Sequence, residues 1–182
     1  MKKTIIASVI AFASVAATSV FAAPAANVGT MDLNFSGTVS TTTCGLEATV
    51  NGVTGNNNIT LGQTNPNTLG VPVDVIFKPT ADSKASCQAG VTDFVMQWDG
   101  VGSAFENGGL KAARGAASDS HVQVKATNAK VNNNVLAEKN GQQYEFGADT
   151  VNGEGLKYSV ALMGGNVVGD MEATAQVKHW YK

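Results

Sequence analysis

Six turn signals cut this chain into short pieces: Asn51-Gly52, Asp99-Gly100, Asn107-Gly108, Asn140-Gly141, Asn152-Gly153 and Gly164-Gly165-Asn166. Asparagine and glycine accept the positive φ that tight hairpin turns demand, and several of these signals suit such positions. The pieces between them alternate with period two, as half-buried strands do. Val71, Val73, Val75 and Phe77 share one face while Pro72, Asp74, Ile76 and Lys78 share the other, and Pro72 places the start of that strand at an edge or sheet entry. The same alternation runs from His121 to Thr127 and through Leu156, Tyr158, Val160 and Leu162. Phe94, Val95, Met96 and Trp98 are denser in apolar groups, which predicts a strand covered on both faces. No amphipathic helix of three turns is evident. Residues 103–118, rich in Gly and Ala, leave open a helical turn or a long loop. The expectation is an all-β antiparallel sandwich.

A chain of 182 residues holds one sizeable core and hardly two. Twelve Lys plus Arg against fourteen Asp plus Glu, with Arg114 the single arginine, leave no basic stripe for a phosphate backbone, so nucleic acid is excluded as a partner. Lys2 and Lys3, an apolar run from Ile5 to about Ala17 and the small residues after Phe21 read as an export signal over 1–22. Cleavage after Ala22 avoids placing Pro24 directly behind the cut. The apolar run is shorter than the roughly 20 residues that span a bilayer. Export to an oxidising compartment pairs Cys44 with Cys87 in a disulfide. Closing that loop restricts the unfolded chain by roughly 4 kcal/mol in the entropy model. A metal or redox pair is the rival reading, but there is no CxxC, and His121 and His179 lie far apart in sequence.

The two ends carry the longest alternations. Met31, Leu33, Phe35, Gly37 and Val39 share one face of a run that ends shortly before Cys44. At the other end, Gly169 opens a run in which Met171, Ala173, Ala175, Val177, His179 and Tyr181 face one way. These are either the first and last strands of a closed sandwich, or one of them is donated to a neighbouring molecule. In the second case the domain has an open apolar groove with unpaired backbone at its edge, which a strand from another chain fills by β-augmentation. Donor segment and groove are different surfaces of the same molecule, so the contact does not close and produces a filament.

The leading signal, the run Leu33-Asn-Phe-Ser-Gly-Thr-Val39 ahead of Cys44, the partner Cys87, Gly169 fourteen positions from the end and the penultimate Tyr181 together resemble the pilin subunits of chaperone-usher fimbriae of Gram-negative bacteria. The pattern is most similar to the major subunits of enteric, host-adhering fimbriae. In that family, pairing of chaperone and pilin is a known instance of β-strand addition. The resemblance implies an incomplete immunoglobulin-like sandwich that lacks its last strand and is completed by a donor strand from another chain. It implies a signal over 1–22, a donor extension over 23–43 and a pilin domain over 44–182. Met31, Leu33, Phe35, Gly37 and Val39 would be the donor residues, Gly37 filling a shallow pocket where overpacking costs about 1–3 kcal/mol. Gly169, Met171, Ala173, Ala175, Val177 and Tyr181 would line the acceptor groove, touched first by a periplasmic chaperone and then by the next subunit at an outer-membrane usher. His179 departs from the apolar pattern there. The implied place is a fimbrium on the bacterial surface, reached through the periplasm, where the fibre mediates attachment to host cells.

The alternative is an exported glycan-binding lectin or adhesin subunit with its own receptor site, for which Trp98, His121 and Lys125 are the candidate contacts. A core aromatic, a strand surface and a solvated face are the plainer readings of those three. A tip adhesin carries an additional receptor domain, for which the length after the signal leaves no space. An enzyme finds no support: there is no Gly-x-Ser-x-Gly elbow, no metal-binding histidine motif and no phosphate-cradling loop, and the expectation is no catalytic residue, no metal and no cofactor. Two glycosylation sequons, at Asn34 and Asn58, carry no meaning in bacterial export.

Overall fold

Left-handed turn residues close the tightest strand reversals in this chain. The computed structural model describes residues 44–87 and 93–182. The expected signal over 1–22 and the expected extension over 23–43, with Met31, Leu33, Phe35, Gly37 and Val39, lie outside the described residues. In chain order the strands are β1 (Leu46–Val50), β2 (Val53–Thr54), β3 (Val73–Pro79), β4 (Asp93–Val101), β5 (Phe105–Glu106), β6 (Gly109–Lys111), β7 (His121–Ala126), β8 (Gln142–Gly147), β9 (Leu156–Met163) and β10 (Thr174–Tyr181). One short helix, α1 (Ala148–Asn152), links β8 to β9. All pairings are antiparallel, in one sheet of order β2-β1-β3-β9-β7-β6-β5 and another of order β10-β4-β8. The antiparallel sandwich read from the turns is the observed architecture.

Asn51 (φ 48) and Gly52 (φ 81) form the two left-handed positions that close β1 onto β2, with Val50 opposite Val53. Asn107-Gly108 closes β5 onto β6 with the positive φ on Gly108 (φ 103) and not on Asn107, so the undecided segment 103–118 begins as a β-hairpin rather than a helical turn. Asp99-Gly100 is not a turn. Both residues lie inside β4, opposite Gln176 and Ala175 of β10. Glycine is needed at 100 for packing: a Cβ there would stand 2.2 Å from the carbonyl oxygen of Ser103, where the chain folds back over it. Val71 also departs from the expected strand. It is 79% exposed and precedes β3, because pairing along β3 begins only at Val73, after Pro72, which has no N–H to donate.

The two sheets face each other across one core. Tyr158 of β9 sits at its centre, its ring in contact with Phe77, Trp98, Tyr144 and Phe146 at centroid distances of 5.1–5.8 Å. Edge-on packing suits the ring quadrupoles and lets residues from both sheets interlock. Tyr144 donates its hydroxyl to the carbonyl of Val135 at 2.9 Å, and burial pushes the phenols of Tyr144 and Tyr158 well above their ordinary range. Phe94, Met96 and Trp98 of β4 are all buried, and so is Val95 on its opposite face, as the dense apolar run predicts.

Cys44 and Cys87 are joined in a disulfide with a Cα–Cα distance of 5.1 Å. Both are buried, and the bond ties the entrance of β1 to the segment that follows β3. Replacing both cysteines by serine should lower unfolding stability by about 4 kcal/mol, which urea denaturation of the oxidised parent and the variant will measure.

Candidate functional site

Among the described residues, β10 is paired on one side only. It runs the full length of β4, from Thr174 opposite Val101 to Tyr181 opposite Phe94, and β8 takes the other side of β4. Among the described residues no strand pairs with its outer edge. Its alternation turns Ala175, Val177 and Tyr181 toward the core, yet these side chains, with Ala173 just ahead, are half-buried, whereas Trp98 and Phe94 opposite Val177 and Tyr181 are buried. Leu46, Ile59 and Leu61, from β1 and the unpaired stretch after β2, pack half-covered against the same core. An apolar face left half-covered beside a row of free backbone N–H and C=O groups is a template for one more strand.

Histidine occupies the β10 position where the alternation calls for an apolar side chain. His179 Nε2 lies 2.8 Å from the carbonyl oxygen of Cys44. A carbonyl only accepts, so Nε2 carries the hydrogen and donates it. The ring also stacks on Phe94, with centroids 5.6 Å apart and planes inclined by 24°. His179 therefore joins the end of β10 to the residues that lead into β1, a role that sequence alternation alone did not reveal. Tyr181 packs edge-on against Phe94 at 5.1 Å, and burial raises its phenol pKa. Lys182 fastens the end: its N–H donates to Asp93 O at 3.0 Å and its ammonium to Glu145 at 2.8 Å.

The start of the expected acceptor run is built differently from its end. Strand pairing begins at Thr174 rather than Gly169. Residues 170–172 instead lie against 113–117, with Glu172 N–H donating to Arg114 O at 2.9 Å and Ala117 N–H to Asp170 O at 3.1 Å. Two glycines make this close approach possible. Gly169 has φ 152 and a Cβ there would meet Ala116 Cβ at 2.6 Å, while a Cβ on Gly115 would meet Asp170 O at 2.1 Å. The alternation singled out Gly169 as the start of a run, and nothing in the local pattern singled out Gly115.

Charged groups brace the pairing of β10 with β4. Asp99 receives hydrogen bonds from Gln97 and from Lys178 of β10, and these hold its carboxyl below the usual range. Asp93 is held down in the same way, chiefly by Lys130.

The three candidate receptor contacts are not brought together. Trp98 is 5% exposed and faces the core against Phe77 and Tyr158, so it is a packing residue and cannot touch a receptor from there. Its apolar neighbours in sequence already favoured that outcome. His121 and Lys125 share one face of β7, in the other sheet, and His121 is engaged with Glu106 at 3.3 Å. Among the described residues no group of three His, Cys, Asp or Glu side chains is placed to hold a metal ion.

No family model matches the sequence. Among curated proteins, the F107 fimbrial protein of Escherichia coli is 28% identical over 151 residues, spanning 83% of this chain and 86% of the relative. Among solved structures, the P pilus rod subunit PapA shares the fold at 14% identity with a TM-score of 0.50, over 83% of this chain and 100% of that one.

Two expectations follow from the geometry. Replacing His179 with alanine should cost about 1–3 kcal/mol, the sum of a ring contact and a hydrogen bond, and glutamine should recover part of it; chemical denaturation of both variants checks this. Because the carboxyls of Asp93 and Asp99 are lowered on folding, their contribution is complete above about pH 4 and is lost as the pH falls further, through their folded values. Unfolding midpoints should therefore drop in that range, and substituting both by asparagine should flatten the drop.

Proposed function

We propose that this chain, a chaperone-usher fimbrial subunit and a structural element of a surface pilus, joins its neighbours by donor-strand exchange, each copy placing residues 23–43 against β10 of the next. The observation that carries this reading is the free edge of β10 beside the half-covered Ala175, Val177 and Tyr181. Met31, Leu33, Phe35, Gly37 and Val39 are the donor side chains. Burial of the four larger ones contributes about 6–12 kcal/mol before ordering costs. Main-chain hydrogen bonds to the open edge add affinity, and alternate side chains fix register. Gly169, Met171, Ala173, Ala175, Val177 and Tyr181 form the acceptor side.

An edge of this kind is a hazard for any subunit waiting to be assembled, because it pairs with whatever strand arrives first. A periplasmic chaperone that lends a strand meets that need after export, and an outer-membrane usher exchanges the loan for the next subunit. Attachment to host cells is then a property of the assembled fibre, to which Trp98, buried in each subunit, offers no contact.

Donor and acceptor defects should be separable. Subunits without residues 23–39 should bind the chaperone, accept a neighbour's strand and fail to extend further; fibres of normal length from that deletion overturn the donor assignment. Val177→Asp should do the opposite, donating its extension but accepting none. Mixing the two variants should give dimers and no longer chains, read by native sizing and electron microscopy.

A further inference from the structure

Four aliphatic side chains stand exposed at one end of the sandwich: Leu69, Val71, Val167 and Val168, the second and fourth each 79% exposed. They lie on two loops zipped together. Gly70 N–H donates to Leu162 O at 2.7 Å, Gly164 N–H to Thr68 O at 3.0 Å, and the Asn67 side-chain amide to Asn166 Oδ1 at 2.9 Å. The second loop is also anchored from β7's side. Asp119 accepts the N–H groups of Asn166 at 2.6 Å and Val167 at 3.2 Å, bonds that hold its carboxyl below the usual range, and Ser120 Oγ accepts the N–H of Gly165. Val167 and Val168 are thus held out by a braced loop, and an apolar surface fixed in advance binds with less ordering cost.

A cleft beside the loops is lined by Pro66, Val167, Val168, Gly169 and Met171. Met171 belongs to the proposed acceptor run, so the apolar surface continues from that run onto these loops.

We propose that this surface seats the body of the adjoining copy in the fibre, an inference that rests on the donor-strand reading above. The length and departure point of the extension choose the occupant. A subunit's own extension leaves at Cys44, beside His179 near the end of β10, whereas the exposed aliphatics lie at the opposite end, where β9 finishes and the approach to β10 starts. A donor body placed at the Cys44 end would stand in the path of that departing extension. The donor body therefore lies at the Leu69–Val168 end, with its strand running antiparallel to β10. From Val39 to Cys44 is five residue steps, at most about 17 Å of extended chain, so the donor body is held close against this end. The strand supplies the link, and the aliphatic seat sets the angle between bodies.

Subunits carrying Val71→Asp test this. The site is exposed and lies outside the cleft shared with Gly169 and Met171, so the melting temperature of the monomer bound to a synthetic 23–39 peptide, and its affinity for that peptide, should match the parent. Fibres should still form, but bend more freely in electron micrographs, and their joints should separate about tenfold faster in denaturant, the effect of losing roughly one buried valine contact. A photoreactive residue in place of Val168 should crosslink to a second copy. Fibres as stiff and durable as the parent's, or no crosslink to a second copy, overturn the seat while leaving strand exchange intact. Failure of the parent to bind the peptide at all overturns the donor-strand reading, and the seat with it.

Discussion

Backbone polar groups must find partners, and among the described residues of this sandwich one long strand finds them on one side only. β10 satisfies half its N–H and C=O groups through β4, and no described strand takes the outer row beside its half-covered apolar face. The aromatic core holds β4 rigidly under β10, because Phe94, Met96 and Trp98 are all buried. Asp99 and Lys178 add a polar clasp on the opposite face. A flexible edge would collapse onto itself; this one is kept straight by what lies beneath it, so its open side stays available.

The placement of His179 shows how a departure from pattern can be structural. An aliphatic residue there would have extended the apolar face to the end of the strand. Histidine gives up part of that face and obtains a hydrogen bond to Cys44 and a stacked contact with Phe94. The entrance to β1 and the end of β10 are thereby fixed in relation to each other, although 135 positions separate the two residues in the chain.

Much of the architecture was legible because side-chain period and turn chemistry are local. The strands around Val75, Val124, Tyr158 and Val177 follow from alternation, and Asn51-Gly52 from its need for positive φ. What was not legible depended on distant partners. Asp99-Gly100 has the composition of a turn, but pairing with Gln176 and Ala175 of β10 overrides it, and the glycine serves a close approach by Ser103. The hairpin within 103–118 is too short to show a period. Trp98 could be read as core or as surface until Phe77 and Tyr158 were seen to enclose it. The contact of 113–117 with 170–172 has no local sign, since its glycines matter only once the two segments meet.

The position of the disulfide has a mechanical consequence. Cys44 precedes the first pair of β1, Leu46 opposite Pro79, so tension arriving through the preceding chain meets a covalent bond before it meets any hydrogen bond of the sheet. Without that bond, the pull would fall directly on the hydrogen bonds between β1 and β3. With it, the load passes to Cys87 and is shared by both ends of the 43-residue loop. The crosslink acts as a strain relief at the point where a tether leaves the body.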